Sequence, residues 1–338
     1  MNYHKRIILD FDDTLAFNEN RDWANAKPNM KLIEKTNKLF DEGWTIDIFT
    51  ARGSISCATR EEARQKYESG MKEWLNKHQV KYHSISFDKP LAAYYIDDKG
   101  MSPEDFIEHN IRQLEGGLSG SDIYTDGNMV HKQDKNAHAV REWYNTVKGV
   151  NVPYVDRIVG ETISMKYIEH DKDFFKNNIF VALGLIQETL MNLKNNEVQD
   201  ELDFDSYRKR IEEHANNSGK ISLQLNANSL KNIKLKRSFS HGDFGITNML
   251  FNDKKLYVID PIPNVFGCLE LDAAKFIASL YINKYNVDQI NFAKRMMVAF
   301  TSIPATHFNS LVAAEITRIY KYHPDKQFIM ECFNNVFE

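Results

Sequence analysis

Apolar residues cluster without interruption in "RIILDF", residues 6–11, until a carboxylate ends the run, the pattern of a short buried strand. The stretch "NMKLIEKTNKLFDEGW" (29–44) then sets its apolar residues at helical spacing, with Gly43 as its stop. "TIDIFTARG" (45–53) predicts a second buried strand running into a polar loop, and "REEARQKYESGMKEWLNKH" (60–78) a second helix. "KYHSISFDKP" (81–90) and "AAYYIDDKG" (92–100) supply two more strand-and-loop units. Strands alternating with helices predict an α/β domain with a mostly parallel sheet covered on both faces. Ligands of such sheets sit beyond the carboxyl ends of the strands, and Asp10, Asp12, Thr50 and Asp97 all fall at predicted strand ends.

Near residue 110 the pattern changes. "IRQLEGGLSGSDIYTDGNMVHKQD" (111–134) predicts strand, glycine-rich turn, strand, "DG" hairpin turn and strand. "NAHAVREWYNTVKG" (136–149) follows as a helix and "VPYVDRIVGETISMKYIEH" (152–170) as a second hairpin. From about 171 the chain is mainly helical. A boundary between Ser102 and Arg112 divides it into 1–108 and 109–338, the latter with a smaller lobe over 109–170 and a helical lobe over 171–338.

Composition agrees with two cores. At 338 residues the chain exceeds the roughly 150 expected of one domain, and 42% hydrophobic with 27% charged residues is globular usage. A formal charge of −4 argues against a nucleic-acid binder, which usually shows a basic face. Cys57, Cys268 and Cys332 lie far apart, without CxxC spacing, and are expected as reduced thiols. No apolar run approaches the ~20 residues of a membrane span, and acidic residues arrive too early for a signal peptide, so a cytoplasmic protein is expected.

The first candidate chemistry lies in "LDFDDTLA", where Asp10, Asp12 and Thr14 resemble the first motif of the haloacid dehalogenase superfamily. "FTARG" offers Thr50 for the second motif, "DKP" Lys89 for the third, and "YYIDDKG" Asp97 and Asp98 for the fourth. All four occur in order within the first 108 residues, and "WANAKPN" and "WLNKHQVKY" are similar to small phosphatases of capsule-polysaccharide gene clusters. The resemblance implies a Rossmann-like phosphatase domain, with no room for a large cap. Asp10 would attack the phosphoryl group, splitting hydrolysis into two easier steps. Asp12 would protonate the leaving oxygen and then deprotonate water. Thr50 and Lys89 would hold phosphoryl oxygens, and Asp10, Asp12 (through its carbonyl) and Asp97 would hold Mg²⁺.

The second candidate lies in "HGDFGITN" (241–248), similar to the H-G-D-x-x-x-x-N loop of the aminoglycoside phosphotransferase and choline kinase families. The resemblance implies a bilobal α+β kinase-like domain that uses ATP, with GTP as the alternative donor, and Mg²⁺. Asp243 would orient the acceptor hydroxyl, while Asn248 and Asp260 of "VIDPIP" would hold the metal across the phosphates. His241 is expected to brace the loop, as is Asp272, which resembles a helix-capping Asp that does so in these families. Gly117, Ser119, Gly120 and Ser121 of "EGGLSGSDIY" would cover the phosphates, and Lys132 would contact them with Glu142 as its helix partner. "MKYIEH", through Lys166 and Ile168, would receive adenine.

Together these readings predict a bifunctional phosphatase and kinase taking a phosphorylated small molecule and a hydroxyl acceptor, in surface-polysaccharide precursor synthesis. The acceptor expected is a sugar or polyol, because every tryptophan lies at or before Trp143 and none can build a cage for a quaternary ammonium in the helical lobe. The alternatives are a single-activity enzyme with one regulatory domain, or a kinase for an amino-alcohol such as choline or ethanolamine. A nucleic-acid end-processing enzyme is disfavoured, since no GxxxxGK[ST] occurs. "KNIKLKR" (231–237) is expected as a solvated strand face and "DELDFDSY" (200–207) as a solvent-facing helix cap.

Overall fold

The computed structural model describes residues 5–18, 25–92, 95, 99–114, 121–198 and 202–338. The chain separates into two compact units, 1–113 and 114–338.

In unit 1 the strands β1 (Arg6–Leu9), β4 (Thr45–Phe49) and β5 (Ser84–Ser86) form a parallel sheet with β4 in the middle, Ile8 opposite Asp47 and Ile48 opposite Ile85. A ribbon of β2 (Ala16–Phe17) and β3 (Lys27–Pro28) follows β1. Each parallel step requires a crossover, supplied by α1 (Met30–Asp41) and α2 (Arg60–Lys77). Asn29 starts α1 by accepting the Leu32 N–H, and Leu32, Ile33, Thr36 and Leu39 give it a buried stripe. Thr59 starts α2 in the same way, with Glu61 and Glu62 in the first turn, where the helix dipole favours acids. Trp74 packs edge-on against Phe11 at 5.1 Å and donates to the Ala26 carbonyl, tying α2 to the chain just past β1. The unit closes with α3 (Pro103–Glu108) and β6 (Arg112–Gln113).

One glycine of unit 1 is forced. Gly53 has φ +83°, and a Cβ there would lie 2.5 Å from the Ala63 Cβ at the start of α2. Gly53→Ala is therefore expected to destabilise unit 1 by at least about 2 kcal/mol, combining left-handed strain with overpacking. A urea midpoint unchanged from wild type would refute this.

Unit 2 begins with antiparallel strands in the order β7 (Ile123–Thr125), β8 (Met129–Gln133), β10 (Thr162–Lys166) and β9 (Val155–Val159). The Asp126-Gly127 turn joins β7 to β8, with Gly127 at φ +96° and Asp126 Oδ1 accepting the N–H groups of Asn128 and Met129. Between the hairpins lies α4 (Ala137–Thr146), buried through Val140, Trp143 and Tyr144. The helical part runs through α5 (Phe174–Asn177), α6 (Ile179–Lys194), α7 (Phe204–Ser218) and α8 (Ile221–Ser229). The hairpin β11 (Met249–Asn252)/β12 (Lys255–Val258) interrupts it before α9 (Leu269–Ile282), α10 (Val287–Thr301), α11 (Ala305–Tyr320) and α12 (Lys326–Asn335). The helix α9 is the hub: α6, α10, α11 and α12 all pack on it, and it is buried almost all round.

Two local expectations change. Residues 231–237 form no strand: a 3-10 turn ends at Asn232, and irregular chain follows to the catalytic-type loop. The acidic stretch is not simply solvent-facing either. Residues 200–201 lie outside the described residues; Asp203 does cap α7, while Phe204 and Tyr207 are buried. The cysteines are free, and no helix among the described residues is long and apolar enough to cross a membrane.

Candidate functional site

In unit 1, Asp10 stands one residue beyond β1 and Thr50 one beyond β4, so adjacent parallel strands deliver both to the same sheet edge. Lys89 Nζ donates to Asp10 Oδ2 at 2.6 Å, and Asp10 Oδ1 accepts the Phe11 N–H at 2.8 Å. Thr50 is fully buried; its N–H donates to the Ser86 carbonyl and its Oγ1 accepts the Arg52 N–H at 3.0 Å. Arg52 in turn grips Asp12 with a two-pronged bond, Nε to Oδ2 at 3.2 Å and Nη2 to Oδ1, and its guanidinium lies over the Phe11 ring. Two linked pairs result, Asp10 with Lys89 and Asp12 with Arg52 above Thr50. Asp97 and Asp98 lie outside the described residues. Arg52 was missed at the sequence level, although "FTARG" places it two residues past Thr50.

In unit 2 the loop 241–248 is pinned from below by α9. Asp272 accepts the N–H groups of His241 (2.7 Å) and Gly242 (3.0 Å), and Ser279 Oγ accepts that of Ile246 (2.8 Å). Gly242 has φ +78°, and a Cβ there would lie 2.7 Å from the Ile262 carbonyl. His241 is buried; its Nδ1 accepts the Asp243 N–H at 3.3 Å, fixing the neutral ring with its proton on Nε2. Asn248 Nδ2 donates to both the carbonyl and Oδ2 of Asp243 at 2.9 Å. That leaves Asn248 Oδ1 as the amide atom to meet a cation. Asp243 Oδ1 takes Lys275 Nζ at 3.0 Å.

Asp260 sits at φ +58° after β12, its N–H donating to the Tyr144 hydroxyl at 3.1 Å. Lys132, on β8, reaches Asp260 Oδ1 at 2.9 Å and Asp134 Oδ2 at 3.1 Å. The expected Lys132–Glu142 pair does not form: Glu142 is exposed on α4 while Val140, Trp143 and Tyr144 face inward. Of the stretch expected to receive adenine, Lys166 donates its N–H to the Tyr154 carbonyl and the Ile168 carbonyl meets His170 Nδ1. Gly117, Ser119 and Gly120 lie outside the described residues, and Ser121 is half-buried.

The electrostatics follow from burial and pairing. Burial pushes the Asp243 carboxyl up, but the Lys275 charge and hydrogen bond, with Arg318 beyond, outweigh it and hold the group below its usual range. Lys132 is likewise pulled down by burial, yet Asp260 and Asp134 raise it overall. Burial lifts Asp272 to about 7 against the opposing pull of the His241 and Gly242 N–H groups. For His241 burial dominates and lowers it to about 4.

That shift makes a pH prediction. The unfolded chain takes a proton on His241 near 6.5 and the folded chain only near 4, so this contribution to stability is full above 6.5 and is lost as pH falls towards 4. His241→Gln, which cannot titrate, should be less stable than wild type at pH 7.5, with the gap closing by roughly 3 kcal/mol at pH 4. Parallel stability curves for unit 2 would disprove the assignment.

Residues not foreseen from the sequence complete the site. Glu315, buried in α11, accepts the Tyr207 hydroxyl at 2.6 Å and pairs with Arg318 at 2.6 Å and Lys275 at 3.7 Å. Burial would raise Glu315, but Arg318 and Lys275 bring it below its ordinary value. A charged residue inside the apolar run "LVAAEI" was the available signal.

As a cation site, Asn248 and Asp260 offer oxygen donors of the hard type Mg²⁺ takes, with the remaining positions left to phosphates and water. No three His, Cys, Asp or Glu side chains gather into a metal cluster among the described residues. The oxygen set fits a metal held jointly with a nucleotide.

No family model and no curated protein sequence matches the chain. Among solved structures it is similar to a thermostable variant of the aminoglycoside phosphotransferase APH(4)-Ia in ternary complex with AMP-PNP and hygromycin B: 11% identity, 68% of this chain, 92% of that one, TM-score 0.52. A choline/ethanolamine kinase family protein from Mesorhizobium loti matches at 13% identity over 68% of this chain and 87% of its own, TM-score 0.50. A target protein from Vibrio cholerae matches at 30% identity, covering 31% of this chain and 89% of that one, TM-score 0.26. Unit 1 is too short to supply a match over 68% of the chain, so the first two run through unit 2. They show that it has the fold of these small-molecule kinases.

Proposed function

We propose that unit 2 is an ATP-dependent phosphotransferase with an alcohol acceptor, and that unit 1 is a phosphatase of the haloacid dehalogenase type. The observation that carries the kinase reading is the loop 241–248, where Asn248 locks Asp243 and α9 holds both at the end of a kinase-like fold. Asp243 orients the acceptor hydroxyl and takes its proton, while Lys132 neutralises the donor's phosphates. Asn248 and Asp260 would hold a Mg²⁺, which would supply charge neutralisation at those phosphates. Lys132 exchanges its contact with Asp260 for phosphate oxygens when nucleotide arrives, and Asp134 keeps it extended.

The phosphatase reading rests on Asp10 and Lys89 in contact, beside a buried Thr50 at the end of the next strand. Asp10 is the nucleophile, Asp12 the acid and base, and Arg52 sets the Asp12 carboxylate in place. This reading assigns the phosphatase to 1–108 and the kinase to 109–338, a division five residues before the one between the compact units. Precursor synthesis for a surface polysaccharide in the cytoplasm is the setting that the resemblance of unit 1 favours.

The neighbours include kinases described for choline or ethanolamine and for an aminoglycoside, so an amino-alcohol acceptor is the second reading for unit 2. One screen separates these: ATP consumption and phosphate release by the full chain over sugars, polyols, amino-alcohols and their phosphates. Turnover confined to one of the two assays would leave a single-activity enzyme.

A further inference from the structure

Asp260 is held in a backbone conformation that its own chemistry disfavours. At φ +58° it lies in the left-handed region, which a Cβ opposes, and the ring of Pro261 behind it favours extended chain. On either side the chain is tied to the loop 241–248. Ile259 donates its N–H to the Asn248 carbonyl at 3.0 Å, and Ile262 donates its own to the His241 carbonyl at 2.9 Å. Pro261 has no N–H to give. The hold on Asp260 itself comes from elsewhere.

Two groups supply it. Lys132 Nζ meets the carboxylate at 2.9 Å, and the Tyr144 hydroxyl accepts the backbone N–H at 3.1 Å. Tyr144 is buried on α4, and its neighbour Trp143 fixes that helix against the loop. Trp143 donates Nε1 to the Ser240 carbonyl at 3.1 Å and stands edge-on to the His241 ring at 5.5 Å. The two holds differ once a nucleotide arrives. Lys132 is then given up to phosphate oxygens, whereas the phenol stays where α4 puts it.

We infer that Tyr144 is a positioning residue for the cation site: its hydroxyl keeps Asp260 in the conformation from which the carboxylate can take a metal jointly with Asn248. The helix α4 thus acts on the site through a phenol, not through an acid paired with Lys132. The inference rests on the phosphotransferase reading of unit 2, in which Lys132 leaves Asp260 for the donor. Without the hydroxyl, the Asp260 N–H loses its acceptor in a half-buried place, and the strained residue can relax toward extended chain. A relaxed Asp260 must return before it can take the metal. Only a fraction of the molecules is then competent, and the apparent affinity falls by that fraction. Saturating metal restores the competent state, and the rate with it.

The test uses the full chain with ADP and Mg²⁺ as probes. It follows the unfolding transition that ADP shifts, first in EDTA and then across a Mg²⁺ titration at saturating ADP. Tyr144→Phe keeps the ring and its packing and removes only the acceptor. It should raise the Mg²⁺ concentration at half-effect by about tenfold, the scale of one buried N–H left without a partner. ADP affinity in EDTA should match wild type, because Lys132 is untouched. Glu142→Gln should match wild type in both readings, since Glu142 is exposed. In the acceptor screen, the Tyr144→Phe loss should lie in the KM for Mg²⁺ and not in kcat at saturating Mg²⁺. A folded Tyr144→Phe protein with the wild-type Mg²⁺ midpoint overturns the inference. So does an equal loss of ADP affinity with and without metal, which would mark a damaged nucleotide site. A wild-type chain that ADP and Mg²⁺ together fail to stabilise would instead discard the phosphotransferase reading, and the role of Tyr144 with it.

Discussion

Asp243→Asn is expected to lower the rate of acceptor phosphorylation by at least about 10²-fold, the scale of general-base and positioning losses. The substitution keeps the side chain's shape, so an oxygen can still accept from Asn248. It removes the charge that faces Lys275 Nζ at 3.0 Å and with it the proposed acceptor of the hydroxyl proton. Nucleotide affinity should stay within a few-fold, because Lys132 and Asp260 are untouched and pair with each other. The loss should therefore appear in kcat and not in the KM for ATP. Steady-state ATP consumption with a saturating acceptor, alongside a direct nucleotide titration, measures both. Phosphorylation at the native rate would remove Asp243 from the mechanism.

The second large effect belongs to unit 1. Asp10→Asn should abolish phosphate release while leaving ATP-dependent turnover within a few-fold of wild type. An amide cannot serve as the carboxylate nucleophile, and the Lys89 ammonium at 2.6 Å loses its counter-charge, so both the attack and its alignment fail. The kinase-type groups lie in a separate compact unit with its own buried core. Loss of both activities from this one substitution, in a protein that melts normally, would be incompatible with two independent sites.

The α/β alternation of the first hundred residues was legible because burial periodicity and capping agree there. Asn29 and Thr59 start helices where the apolar stripes begin, and Gly43 ends one at φ +85°. The loop 241–248 was legible for a different reason: its residues act on neighbours a few positions away. What escaped were contacts between distant helices. Nothing local ties Tyr207, Lys275, Glu315 and Arg318 together, and only tertiary packing makes them one network.

Two misreadings have plain causes. In "KNIKLKR" the apolar Ile233 and Leu235 alternate with cations as in a strand, but among the described residues no strand pairs with it. Ile233 is buried and the following Ser238 hydrogen-bonds Gly267 and Leu269 instead. Glu142 was assigned from motif order, whereas the stripe of Val140, Trp143 and Tyr144 turns that position outward.

The helix α9 has a consequence for how this protein could change its substrate. Asp272, Lys275 and Ser279 sit on it at successive turns, and each grips a different point of the same loop. A helix that is buried nearly all round and also sets the loop's register has almost no neutral substitutions available. Drift or laboratory selection toward new acceptors should therefore leave α9 unaltered, so the chemistry is inherited while the clientele varies.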